Sequence, residues 1–108
     1  MPGTRLLRGV VYAATLAHVG AEKYYLVVSN NRRNANFPQV LAVRLTTTPK
    51  QPRPSIVELG HPEPFVGRAV CDDIETLWDD EVRRDLGALT PAAMARIDDG
   101  LRAALGMA

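Results

Sequence analysis

Cysteine is almost missing from this chain: Cys71 is the one thiol in 108 residues, so no internal disulfide can staple the fold. Histidine is nearly as scarce, and His18 and His61 stand too far apart to form a recognisable zinc pattern, which points to chemistry without a metal or other cofactor. No stretch approaches the roughly 18 consecutive apolar residues of a membrane span. The opening Met1-Pro2-Gly3-Thr4-Arg5-Leu6-Leu7-Arg8 lacks the apolar centre of a secretory signal, so a cytoplasmic protein with no membrane partner is expected. Tandem repeats and low-complexity tracts are absent too, and the length allows one core and not two, so 1–108 should form a single domain. Negative charge is missing from one half only. From Met1 to Pro54, eight basic residues face Glu22 alone, whereas from Ser55 to Ala108 eleven acidic residues face five basic ones. A net charge of +1 therefore conceals a basic segment suited to phosphates or an acidic partner.

What is present is organised around Lys23 to Asn34. Tyr24 to Val28 is an unbroken apolar run of β-branched and aromatic residues, too short for a typical helix and suited to a buried central strand. It delivers a turn-forming loop containing Asn30, Asn31, Asn34 and Asn36, with Arg32 and Arg33 as an exposed cationic pair. Ahead of it, Arg8 to Leu16 reads as a first strand. Behind it, Gln39 to Thr46 alternates with period two, so Arg44 and Thr46 share one side of a third strand. The segment from Thr47 to Pro54 holds three prolines and forms a stiff basic loop carrying Lys50 and Arg53. Ser55 to Leu59 is a strand stopped by Gly60. Arg68 to Cys71 resumes extended structure with Arg68 and Val70 on one face, and one short helical turn follows around Asp79 to Val82. Thr90 as cap, Pro91 at the first helical position, an apolar stripe of Met94, Ile97, Leu101 and Leu105, and Gly106 as stop define a C-terminal helix. The expected fold is mainly β: a small, partly open barrel of five or six strands carrying one helix.

In this order, several segments resemble the MazF/PemK/Kid toxins of bacterial toxin–antitoxin pairs. They are Arg8-Gly9-Val10-Val11-Tyr12, Leu26-Val27-Val28-Ser29-Asn30-Asn31 with Asn34, Val57-Glu58-Leu59, Val70-Cys71-Asp72-Asp73-Ile74 with Thr76, and Leu86-Gly87-Ala88-Leu89-Thr90-Pro91 running into Met94-Ala95-Arg96-Ile97-Asp98. The resemblance covers nearly the whole chain. It implies an SH3-like barrel of the CcdB/PemK type, a homodimer, and a metal-independent endoribonuclease acting on single-stranded RNA, restrained by an antitoxin whose tail lies in the RNA cleft. The implied reaction is attack of a ribose 2′-hydroxyl on the adjacent phosphate, giving a cyclic phosphate and a free 5′-hydroxyl. Such a reaction needs a base, an acid and donors for the charge on phosphorus. By the same resemblance Thr46 matches a phosphate-contacting Thr, and Asp72 matches an Asp that acts in proton transfer in some members.

Two departures redirect the search. The family's Arg-Pro before the central strand is missing, and Lys23 is the only cation there; an ammonium supplies charge without the guanidinium fork. The Arg that precedes the cysteine in the Kid branch is Val70 here, with Arg68 two residues earlier on the same face and Arg44 beside Thr46. Arg44 and Arg68 are therefore expected to restore the lost charge. His18 is a candidate base because imidazole titrates near neutrality. Asn30, Arg32, Arg33, Lys50 and Arg53 are the expected RNA contacts. Cys71, apolar on its N-terminal side, reads as a buried residue and not a nucleophile. The competing readings are a non-catalytic inhibitor of the same fold, as in the CcdB branch that poisons DNA gyrase, and a barrel whose site only binds.

Overall fold

The computed structural model describes residues 3–107. Six strands form one antiparallel sheet: β1 (Val10–Thr15), β2 (Glu22–Val27), β3 (Gln39–Thr46), β4 (Ile56–Leu59), β5 (Gly67–Trp78) and β6 (Val82–Ala88). Their order across the sheet is β4-β5-β3-β2-β1-β6. The short helix α1 (Asn31–Asn34) follows β2, and α2 (Pro91–Leu105) closes the chain.

Alternation sorts the strands' side chains between two cores. Val11, Leu26, Val43, Leu45, Val57 and Ala69, drawn from β1 to β5, face α2 and pack with its Ala93 and Ile97. Tyr12, Tyr25, Val27, Val40, Ala42 and Leu77 occupy the opposite side, where Leu6 and Leu16 cover them. The ladder does not close between β4 and β6, so the barrel is open as expected. Side chains span the gap. Glu63, in the link after β4, accepts from the backbone N–H of Thr90 at 2.9 Å and from its hydroxyl at 2.6 Å, tying that link to the start of α2. These two hydrogen bonds hold the Glu63 carboxyl below its ordinary pKa. A depressed carboxyl adds stability that is complete above its unfolded value and is lost as pH falls through the folded one. Thermal melting should therefore show Glu63→Gln less stable than the wild type at neutral pH, with the gap narrowing on acidification below about pH 4. A gap constant from neutral pH to pH 3 would exclude this assignment.

Helix α2 starts and stops where its sequence signals lie. The Thr90 hydroxyl accepts from Ala93 N–H at 3.2 Å, and Gly106 takes the left-handed conformation that ends the helix. Its buried line is Ala93, Ile97 and Gly100, flanked by Met94 and Leu101, while Leu105, the last residue of the expected stripe, is exposed. Gly100 sits so close to the sheet that an added Cβ would lie 2.8 Å from both Cys71 Sγ and Val57 Cγ2.

Two segments differ from the sequence-based expectation, and a third takes its full extent only in the structure. The asparagine-rich loop contains a helical turn, because Asn30 caps it by accepting from Arg33 N–H at 2.8 Å. Asn34 beneath it is buried, with its amide donating to the Ser29 carbonyl at 3.0 Å. The fifth strand runs unbroken from Gly67 to Trp78, past an irregularity opposite Val43 and Arg44, and the short helical turn follows at Asp79–Glu81. Finally, Val82–Ala88 pairs with β1, a strand that its charged Arg83, Arg84 and Asp85 disguise in the sequence.

Candidate functional site

The end of β3 brings the cationic candidates together. Register pairs Arg44 with Tyr25 on one side and Val70 on the other, and pairs Thr46 with Arg68. Facing residues of paired strands share a side, so Arg44, Thr46 and Arg68 project from one surface. A groove of about 220 Å³ there is lined by Glu22, Lys23 and Tyr24 from β2, by Arg44 and Thr46, and by Thr47 and Thr48 beyond the strand. Lys23 lies within β2, not in a loop before it, and lines the groove together with Arg44.

Each side chain is held differently. Arg44 Nε is buried and has no hydrogen-bond partner, and the guanidinium makes no ion pair among the described residues. Tyr25 beside it has its phenol pKa raised, chiefly by burial, with Arg44 acting in the opposite direction. The Thr46 hydroxyl accepts from Thr48 N–H at 3.1 Å, which orients it and leaves its own proton free to be donated. Arg68 is clamped: Nε donates to Glu58 Oε2 at 3.1 Å and Nη1 to the Thr47 carbonyl at 3.1 Å. Asp72 stands two residues past Val70, outside the groove lining. Its Oδ2 takes both available bonds, from the Ser55 hydroxyl at 2.6 Å and Arg53 Nη2 at 3.2 Å, so Oδ1 stays unpartnered among the described residues.

The other candidates are dispersed. His18 does not line the groove; its Nε2 lies 3.3 Å from Glu75 Oε1 and its side chain is largely exposed. Asn30, Arg32 and Arg33 follow the far end of β2, a strand of six residues and so about 20 Å away from Glu22 and Lys23. Asn30 is committed to capping. Arg33 is half-buried and not exposed as expected, donating to the Gln39 carbonyl at 2.8 Å and stacking 4.9 Å over Phe37, which leaves Arg32 as the cation of the pair without an ion-pair partner among the described residues. Lys50 and Arg53 lie in the loop between β3 and β4, outside the groove lining. Burial, and secondarily the neighbouring Asp72, push the Cys71 thiol up to about 11, so it stays protonated and inert at neutral pH. Among the described residues no three His, Cys, Asp or Glu side chains gather as a metal site would require. Ser55 and Glu58, which position Asp72 and Arg68, escaped the sequence reading; only the pairing of β4 with β5 reveals them.

The half-open barrel capped by a helix thus carries, at the end of β3, a groove in which Lys23, Arg44 and the Thr46 hydroxyl stand together. The PemK-like, MazF-like toxins of type II toxin–antitoxin systems match residues 7–105, and the chain belongs to that family. It is 46% identical over 101 residues to Endoribonuclease MazF1 of Mycobacterium bovis and, to the same extent, to Endoribonuclease MazF4 of Mycobacterium tuberculosis, covering 94% of this chain and 93% of each relative. Among solved structures it is similar to a mycobacterial endoribonuclease in complex with its cognate antitoxin, at a TM-score of 0.87 and 44% identity over 95% of this chain and 97% of that one. A MazE-MazF structure from Deinococcus radiodurans shares the fold at a TM-score of 0.75 and 22% identity, covering 95% of this chain and 97% of that one.

Proposed function

We propose that this chain is the toxin of a type II pair and a metal-independent endoribonuclease acting on single-stranded RNA. The observation that carries the reading is the unpaired Arg44 guanidinium standing beside the Thr46 hydroxyl in a groove open to solvent. The relatives named endoribonuclease support the activity. The chemistry follows from the side chains. Arg44 and the Thr46 hydroxyl donate to the phosphate oxygens that gain charge, and Lys23 adds a second positive charge from β2. Asp72, with Oδ1 free and Oδ2 fixed by Ser55 and Arg53, takes the 2′-hydroxyl proton as that oxygen bonds to phosphorus, and water in the open groove supplies the proton for the 5′-oxygen as its bond to phosphorus breaks. Arg68, held by Glu58, contributes field from the adjacent strand.

Incubation of the purified, antitoxin-free protein with a long RNA in EDTA, followed by mapping of the ends, is expected to give discrete cuts bearing 5′-hydroxyls. Intact RNA under those conditions would return the protein to the binding-only or gyrase-inhibitor class. Within the groove, Lys23→Ala should slow cleavage less than Arg44→Ala. An ammonium on a flexible stem is a point charge, whereas a guanidinium can grip two phosphate oxygens.

The reading extends to partners. The groove of one chain is short, and a cleft long enough for RNA is best supplied by two copies related by a two-fold axis. Light scattering at micromolar concentration should report a dimer. The relative solved with its cognate antitoxin supports restraint of this chain by a partner of the same kind.

A further inference from the structure

Glu22 is the one acidic residue between Met1 and Pro54, and it lines the same groove as Lys23 and Arg44. For a surface that only gathers phosphates this is the wrong sign, because a carboxylate beside the cations weakens their pull on a phosphate backbone. Its ion pair does not account for it either. Glu22 Oε1 accepts from Arg84 Nη2 at 2.7 Å, but both side chains are exposed, and exposed pairs add little to stability. What the pair does is hold the carboxylate in place from β6, on the far side of β1. Among the described residues no hydrogen bond reaches the other oxygen, Glu22 Oε2.

The groove opens where two strands part. β2 and β3 pair only as far as Tyr24 and Leu45. Beyond that pair β2 continues to Glu22 along β1, and β3 continues to Thr46 along β5, so a gap is left between their ends, with Thr47 and Thr48 on its far side. At about 220 Å³ the gap is smaller than the roughly 300–1,000 Å³ pockets that enclose drug-sized ligands, a size for one planar base. Tyr24, braced against Phe65 with ring centroids 5.3 Å apart, supplies an aromatic wall on which a base can lie.

A carboxylate only accepts hydrogen bonds, so it selects a base that donates. Cytosine, adenine and guanine carry an exocyclic amino group. Uracil presents a carbonyl oxygen where cytosine presents its N4 amino group, and two acceptors that face each other repel. We infer that Glu22 reads one nucleotide of the bound strand: with Oε1 fixed by Arg84, Oε2 accepts from the amino group of a base seated in the gap, while the adjoining phosphate meets Lys23, Arg44 and Thr46. The groove thereby prefers amino-bearing bases and disfavours uracil. This inference rests on the reading of the chain as a toxin that acts on RNA, but it concerns binding and not the cut.

The probes are octamers of 2′-deoxycytidine and of 2′-deoxyuridine, which lack the attacking hydroxyl and differ only along the base-pairing edge. Fluorescence anisotropy is expected to show the cytosine octamer bound at least about fivefold more tightly, the lower end for one base contact because the carboxylate is partly solvated. Glu22→Gln keeps an oxygen for Arg84 and adds an amide that can donate to uracil, so the preference should fall to within about twofold while the variant melts like the wild type. Equal affinity of the wild-type protein for the two octamers, no measurable binding of either, or an undiminished preference in Glu22→Gln would each overturn the inference. Cleavage enters none of these readings. Intact RNA in the EDTA assay together with a Glu22-dependent preference for cytosine would leave base reading in place and remove the nuclease, and discrete cuts without that preference would do the reverse.

Discussion

Alanine at Arg44 is expected to reduce RNA cleavage by about 10²- to 10³-fold, the usual cost of removing one donor from a shielded transition state. The fold should survive, because the buried Nε has no hydrogen bond to lose and the guanidinium makes no ion pair among the described residues. Thermal melting of the variant should match the wild type to within a few degrees. Arg68→Ala carries a different expectation: its loss also frees Glu58 and the Thr47 carbonyl, so reduced cleavage should come with reduced stability. The two arginines can be separated on that basis. If Lys23→Ala abolishes cleavage while both arginine variants cut at the wild-type rate, the ammonium has replaced the missing family arginine and Arg44 is not the principal donor.

Gly67→Ala should be the most damaging small substitution at the site's margin. Gly67 opens β5 at φ +151°, and a Cβ there would lie 2.5 Å from the Thr46 carbonyl oxygen and 2.8 Å from the Phe65 ring. The carbonyl belongs to the β3 backbone and cannot rotate away. Overpacking of this kind costs about 1–3 kcal/mol, and left-handed strain adds to it, so the melting temperature should fall by about 10–20 °C. Because the obstruction is Thr46 itself, cleavage measured well below the melting transition should fall as well. A variant melting like the wild type would show that β3 and β5 can separate at this point without cost.

Features that depend on local chemistry were legible in the sequence. Alternation along Gln39–Thr46 placed Arg44 and Thr46 on one side, and the Thr90-Pro91 start and Gly106 stop bounded α2. Features that depend on distant partners were not. Nothing near Arg68 announces that Glu58 will face it across a ladder, and nothing near Asp72 announces Ser55. The last strand was hidden because it lies at the sheet's margin, half wetted, where Arg83, Arg84 and Asp85 break the apolar pattern that marks an interior strand. Proximity in sequence does not measure distance from the groove: Asn30 to Arg33 follow the central strand directly and lie beyond its far end, a strand's length away.

The close seat of Gly100 on Cys71 makes the chain's single thiol a built-in reporter. With Cys71 fully covered, a thiol-reactive dye gains access only when α2 lifts from β4 and β5 or when the whole domain opens. Labelling rates across a denaturant series would therefore separate partial from global opening. Labelling that depends little on denaturant would identify helix undocking as a distinct event, and steep dependence would show that helix and sheet come apart together.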